Sequence, residues 1–191
     1  MGKKRIIVRS LIVVCFLFSW YFVEAGFCGS SVVAEYNDGF GTVDMKSYDV
    51  SVVRSAMEPL GKEGMTVYKQ YYVMDFLFVI FFGAFQLMFS DIAFSWRKKK
   101  WISVIIFGVP VLRGVCDIVE NVILLRTLCT FPKISETAIF VCAGFTSAKL
   151  FLIRCWVVLL AAGFIWKIIL CRKASDIIKN GKITSSDRKN L

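Results

Sequence analysis

Residues Ile102 to Leu124 read ISVIIFGVPVLRGVCDIVENVIL, a run apolar enough to cross a bilayer that nonetheless holds Arg113, Asp117, Glu120 and Asn121. At about 100° per residue these four fall at roughly 0°, 40°, 340° and 80° on a helical wheel, so one stripe carries every strongly polar group. Ionisable side chains at membrane depth are costly, and they turn toward a bundle interior or a wet cavity rather than toward lipid. The run therefore predicts a central helix sheltered by neighbours, and around it an all-α polytopic transmembrane bundle.

Composition points the same way. The chain has 191 residues, 57% of them hydrophobic and 15% aromatic, where soluble domains average about 45–50% apolar. The net charge is +10, but its distribution matters more than its size. Four Lys and Arg lie in residues 3–9, four in 97–100 and seven from Lys167 onward. All three groups flank apolar runs on one common side, which is the positive-inside pattern of a membrane topology and not a nucleic-acid footprint. No His is present, so His triads, His metal ligands and His pH switching are excluded.

Taken in order, residues 1–25 combine a basic start with an uncharged run that ends near Trp20, Tyr21 and Phe22. They fit a first transmembrane helix or, with Val23-Glu24-Ala25 before Gly26, a cleavable signal peptide. Residues 26–70 carry four basic and six acidic residues and suit an extracytoplasmic loop. Within it Val50, Val53, Met57 and Leu60 recur at helical spacing and predict a short amphipathic helix on the membrane surface or capping the bundle. Residues 71–170 hold three further spans, Tyr71 to Phe94, the central run, and Thr137 to about Trp166. Trp96 and Trp101 bracket four basic residues, as at a cytoplasmic interface. Asp91 reads as an interface carboxylate beside that basic turn, and Pro110 predicts a kink in the central span. Residues 171–191 read as a polar cytoplasmic tail, partly disordered. The expectation is four spans with both termini cytoplasmic, or three if the first is removed.

Counting roughly 1.5 Å per residue from the tryptophans puts Arg113 and Arg154 near the midplane, with Asp117, Glu120, Lys149 and Asp75 in the outer half. Asp75 and Gln86 share one face of their helix. Buried charges require partners, and Lys149 beside Asp117 or Glu120 is the first expectation. Lys149 and Arg154 lie roughly 140° apart, so they serve different partners, with Gln86 or another span for Arg154. The candidate ligand-binding set is Asp75, Gln86, Arg113, Asp117, Glu120, Asn121, Lys149 and Arg154. The bland alternative is that these charges fix helix register.

Of seven cysteines, none forms a CxxC pair, so zinc and thioredoxin-type chemistry has no support. Cys28 and Cys129 both fall in outer loops and are the disulfide candidates.

Tyr72-Val73-Met74-Asp75 heads one span, and Asp117-Ile118-Val119-Glu120-Asn121 stands late in the next. In these motifs the chain resembles small four-span membrane proteins of uncharacterised function, with Y-x-x-D opening one helix and D-x-x-E-N in the following one. The resemblance implies that Asp75, Asp117, Glu120 and Asn121 work together. It implies no activity.

Three functions are compatible with this pattern. The first is an integral membrane protein whose outward polar pocket binds or passes a small or lipid-like ligand or an ion. The second is a membrane interaction protein, such as an immunity, assembly or accessory subunit, whose buried charges are structural. The third is an intramembrane lipid-modifying enzyme with Asp117 or Glu120 as general acid or base, ranked last because no nucleophile–base constellation is visible. No cofactor and no metal are expected.

Overall fold

The structure, a computed structural model, describes residues 2–44, 48–97 and 99–179. Those residues form helices joined by short connections: α1 (Lys3–Ala25), α2 (Ser30–Tyr36), α3 (Val50–Met57), α4 (Gly61–Ala93), α5 (Lys100–Thr130) and α6 (Glu136–Lys179). Helices α1, α4, α5 and α6 are each long and apolar enough to cross a membrane by length and composition. They pack in sequence, α1 on α4, α4 on α5 and α5 on α6. Phe16 fastens α1 to α4 by stacking on Phe85, with ring centroids 4.3 Å apart, and on Phe82 at 5.4 Å. Large apolar side chains such as Leu11, Val104, Val122, Phe140 and Val158 stand exposed on the outside of the bundle. Arg113, Asp117, Glu120 and Asn121 are buried inside it. That inside-out distribution suits an apolar solvent.

The segment between α1 and α4 folds over one end of the bundle. Asp49 caps α3 by accepting from the Val52 amide at 2.9 Å, which satisfies an otherwise orphaned donor of the first turn. From that start the apolar spacing turns Val53, Ala56 and Met57 inward, and a 3-10 turn over Glu58–Leu60 adds Leu60. Gly61 then takes a φ of 58°, a left-handed conformation that a side chain would disfavour, and the chain enters α4 directly. Helix α4 therefore begins at Gly61, earlier than the apolar run from Tyr71 suggests. Pro110 sits within α5, which runs continuously from Lys100 to Thr130.

Apolar packing is divided into two layers. An outer cluster joins Val33, Val43, Val53 and Met57 of the cap to Tyr68, Tyr72, Leu124 and Ile139 of the long helices. An inner cluster gathers Phe94 and Ile106 with Trp96, Phe107, Leu160 and Phe164. The Trp96 and Trp166 rings approach to 6.1 Å, so the α4–α5 turn and the far part of α6 lie at one level. The charged residues of α5 occupy the space between the two layers.

Two expectations are corrected. Helix α6 continues through Arg172 to Lys179, where polar composition suggested a partly disordered tail; no Gly or Pro stands between Arg172 and Lys179, and each added residue contributes a helical hydrogen bond. The rest of the predicted tail, residues 180–191, lies outside the described residues. Cys28 and Cys129 are free thiols and not a disulfide. Cys28 is fully buried in the turn after α1, whereas Cys129 is exposed near the end of α5, so the two belong to different environments despite both preceding or following a span at the same end.

Candidate functional site

Helical pitch brings Arg113, Asp117, Glu120 and Asn121 onto one buried face of α5, none more than 4% exposed. Arg113 Nη1 stands 3.1 Å from Asp117 Oδ2, one turn away. The guanidinium also lies 4.5 Å above the Phe82 ring, which offers its negative face to the cation. From α6, Lys149 Nζ reaches Asp117 Oδ1 at 2.9 Å and Glu120 Oε2 at 2.6 Å. One turn before Lys149, the Thr146 hydroxyl donates to Glu120 Oε1 at 2.6 Å. The Tyr48 hydroxyl, delivered by the outer cap, sits 2.8 Å from Thr146 Oγ1 and donates to Cys142 Sγ at 3.0 Å. Burial pushes the Tyr48 phenol up from its ordinary range, so it remains a neutral donor.

The ledger of charge along this row closes on itself. Arg113, Asp117, Lys149 and Glu120 form a chain of two cations and two anions in contact. Two carboxylates remain outside it. Asp75 of α4 accepts from the Asn121 amide at 2.5 Å, and Asp44 of the cap accepts from the Tyr71 hydroxyl at 3.1 Å. Each is 4% exposed, and among the described residues neither forms a salt bridge. One oxygen of Asp44, Oδ1, is buried with no hydrogen-bond partner.

Both face a cavity of about 410 Å³. Its lining includes the buried Arg113, Asp117, Lys149, Asp44, Asp75 and Tyr71, together with Phe78 and Phe82 of α4 and the exposed Trp20 and Glu24 of α1. The size falls within the range of small-molecule pockets. Among the described residues no three Asp, Glu or Cys side chains are grouped to hold a metal ion. Asp44 and Asp75, neither of them in a salt bridge among the described residues, thus stand beside the aromatic rings of Tyr71, Phe78 and Phe82.

The predicted residues thus divide. Asp75, Arg113, Asp117 and Lys149 line the cavity, and Glu120 and Asn121 hold those residues from behind. Gln86 is fully buried on α4 away from the lining, its amide atoms unpaired with other side chains or backbone. Arg154 is corrected: it is exposed on the outer face of α6 and joins neither the cluster nor Gln86. The roughly 140° between Lys149 and Arg154 places them on different sides of α6, and the side that carries Arg154 is the exposed one.

Sequence reasoning missed Asp44, Tyr48, Tyr71 and Thr146. Thr146 and Tyr71 were within reach, since they lie three or four residues from Lys149 and Asp75 on the same helical faces. Asp44 and Tyr48 come from irregular chain, where periodicity carries no information. A second, wider hollow of about 670 Å³ at the opposite end is lined by Arg5, Arg9, Arg97, Lys99, Lys100 and Lys167. There Asp91 pairs with Arg97 at 3.1 Å and with Arg9 at 3.4 Å. No family model, curated protein or solved structure matches this chain.

Proposed function

We propose that the chain crosses a membrane four times, with both ends and the basic hollow on the cytoplasmic side, and that the outer cavity binds a small or lipid-like ligand through a positively charged group. The observation that carries this reading is the pair Asp44 and Asp75, buried at the cavity wall with no cationic partner of their own among the described residues. Removing a carboxylate from water without a counter-charge costs several kcal/mol, so two together require a purpose beyond packing. A cationic headgroup satisfies both, and Trp20, Phe78 and Phe82 give its hydrocarbon part an apolar path.

Supporting the topology, Trp96, Trp101 and Trp166 lie beside the basic residues of the inner end, as interfacial aromatics do. The test is saturable binding of decyltrimethylammonium to the protein in lipid nanodiscs, read by calorimetry against decyl sulfate and decyl maltoside. The ammonium alone binds, and Asp44→Asn combined with Asp75→Asn lowers its affinity by about tenfold or more. Equal binding of all three amphiphiles, or an unchanged affinity in the double variant, overturns the reading.

A further inference from the structure

We propose that the outer face of α6 around Arg154 is an interaction surface for a membrane-spanning helix of another protein, one that carries a carboxylate at the matching level. The inference uses the membrane placement above but not the cavity or its ligand. Trp166 stands at the basic inner end beside Trp96, 6.1 Å away. Arg154 is twelve residues closer to the outer end, roughly 18 Å from that boundary, in a hydrocarbon core about 30 Å thick. It is exposed on the outside of the bundle, next to Phe151 at 63% and Val158 at 69% exposure.

A guanidinium keeps its charge throughout the accessible pH range and costs free energy at that depth. Its side chain covers only a fraction of the distance to either headgroup layer, so snorkelling does not relieve it. Arg113, at a comparable depth, shows how the chain treats such a group internally, giving it Asp117 and the Phe82 ring. Arg154 receives no equivalent from the described residues, and the counter-charge has to come from outside.

The surrounding face fits a helix as that outside partner. Phe140, Gly144, Ser147, Phe151, Arg154 and Val158 follow one another at alternating steps of four and three, and all are exposed. That 3.5-residue period is the seam along which two helices pack. A side chain built onto Gly144 would meet nothing within 4 Å, so nothing inside this chain requires a glycine there. A second copy of this chain does not supply the partner, because at that level its own carboxylates, Asp75, Asp117 and Glu120, are buried. Two copies meeting on this face would also oppose arginine to arginine.

The experiment places the full chain in nanodiscs with a synthetic Leu/Ala host helix bearing one central Glu, or Gln in its place, and reads energy transfer between them. The Glu host associates about tenfold more tightly than the Gln host, the effect of one charge pair inside lipid. Arg154→Gln removes that difference, Gly144→Leu weakens the Glu host, and Arg154→Glu transfers the preference to a host bearing Lys. Equal association of the Glu and Gln hosts overturns the proposal. So does transfer between labelled copies of the chain alone that Arg154→Gln abolishes, which would make the partner a second copy. An effect of Arg154→Gln that appears only with anionic lipids would assign the residue to lipid phosphate instead. An environment-sensitive amino acid at position 151 reports separately whether this face is in lipid, so failure of the membrane placement is distinguishable from failure of the partner. Circular dichroism and the thermal unfolding midpoint stay unchanged in every α6 variant and confirm the fold.

Discussion

Lys149 and Glu120 meet at 2.6 Å between α6 and α5, with side chains 3% and 0% exposed. A pair sealed this completely is stabilising only as a pair, since its Coulomb attraction offsets desolvation that either partner alone would bear in full.

Lys149→Met therefore leaves Glu120 stranded without a cation and Asp117 with Arg113 alone, and destabilises the protein by about 3–5 kcal/mol. Glu120→Gln keeps shape and hydrogen bonding and costs less. In the double variant Lys149→Met with Glu120→Gln part of the loss returns, because one stranded charge is gone. Unfolding in mild detergent, followed across the four proteins as a double-mutant cycle, checks the coupling. Additive losses would show that the two side chains do not act on each other.

The outer cap rests on α4 through Gly64, where an added Cβ would come within 2.7 Å of Tyr36 Cβ. Gly64→Val forces α2 off α4, at a cost of about 1–3 kcal/mol typical of overpacking. Because the same cap delivers Asp44 and Tyr48, the variant also weakens decyltrimethylammonium binding while the four long helices persist. Circular dichroism and calorimetry on one sample separate the two effects, and unchanged affinity would detach the cap from the site.

Asp49 is fully exposed, yet the Ser51 hydroxyl and then the Val52 amide hold its carboxyl below the usual carboxylate range. A depressed folded-state pKa means that the cap's contribution is complete above the ordinary Asp value and is lost as pH falls through the lowered one. The protection factor of the Val52 amide, its exchange rate corrected for the intrinsic pH dependence, is accordingly constant near neutral pH and falls only in strongly acidic solution. Asp49→Ala gives the low protection at every pH. Protection that disappears already near neutrality would contradict the assignment.

How much of this was legible beforehand depends on which physical signal each residue carries. The four long helices were legible because uninterrupted apolar runs leave few alternatives, and the polar stripe of α5 because a bundle in lipid inverts the usual pattern of burial. Arg154 was misassigned because its depth and its angle of roughly 140° from Lys149 excluded a shared partner but did not show whether its side of α6 faces another span or the outside. Asp44 and Tyr48 could not have been placed, since their contacts with Tyr71 and Thr146 arise from chain reversal and not from any repeat. The extra turns of α6 beyond Arg172 escaped because charge was taken as a sign of disorder, although the residues there are compatible with helix.

The inner layer around Phe94, Ile106 and Phe164 lies between the acidic cavity and the basic hollow. With Met88, Ser90 and Trp156 also buried there, the two hollows are separated by packed side chains. On the reading proposed above, a guest bound beside Trp20 would enter and leave on the cavity's own side, like the contents of a vessel with a floor, because packed side chains stand between it and the basic hollow.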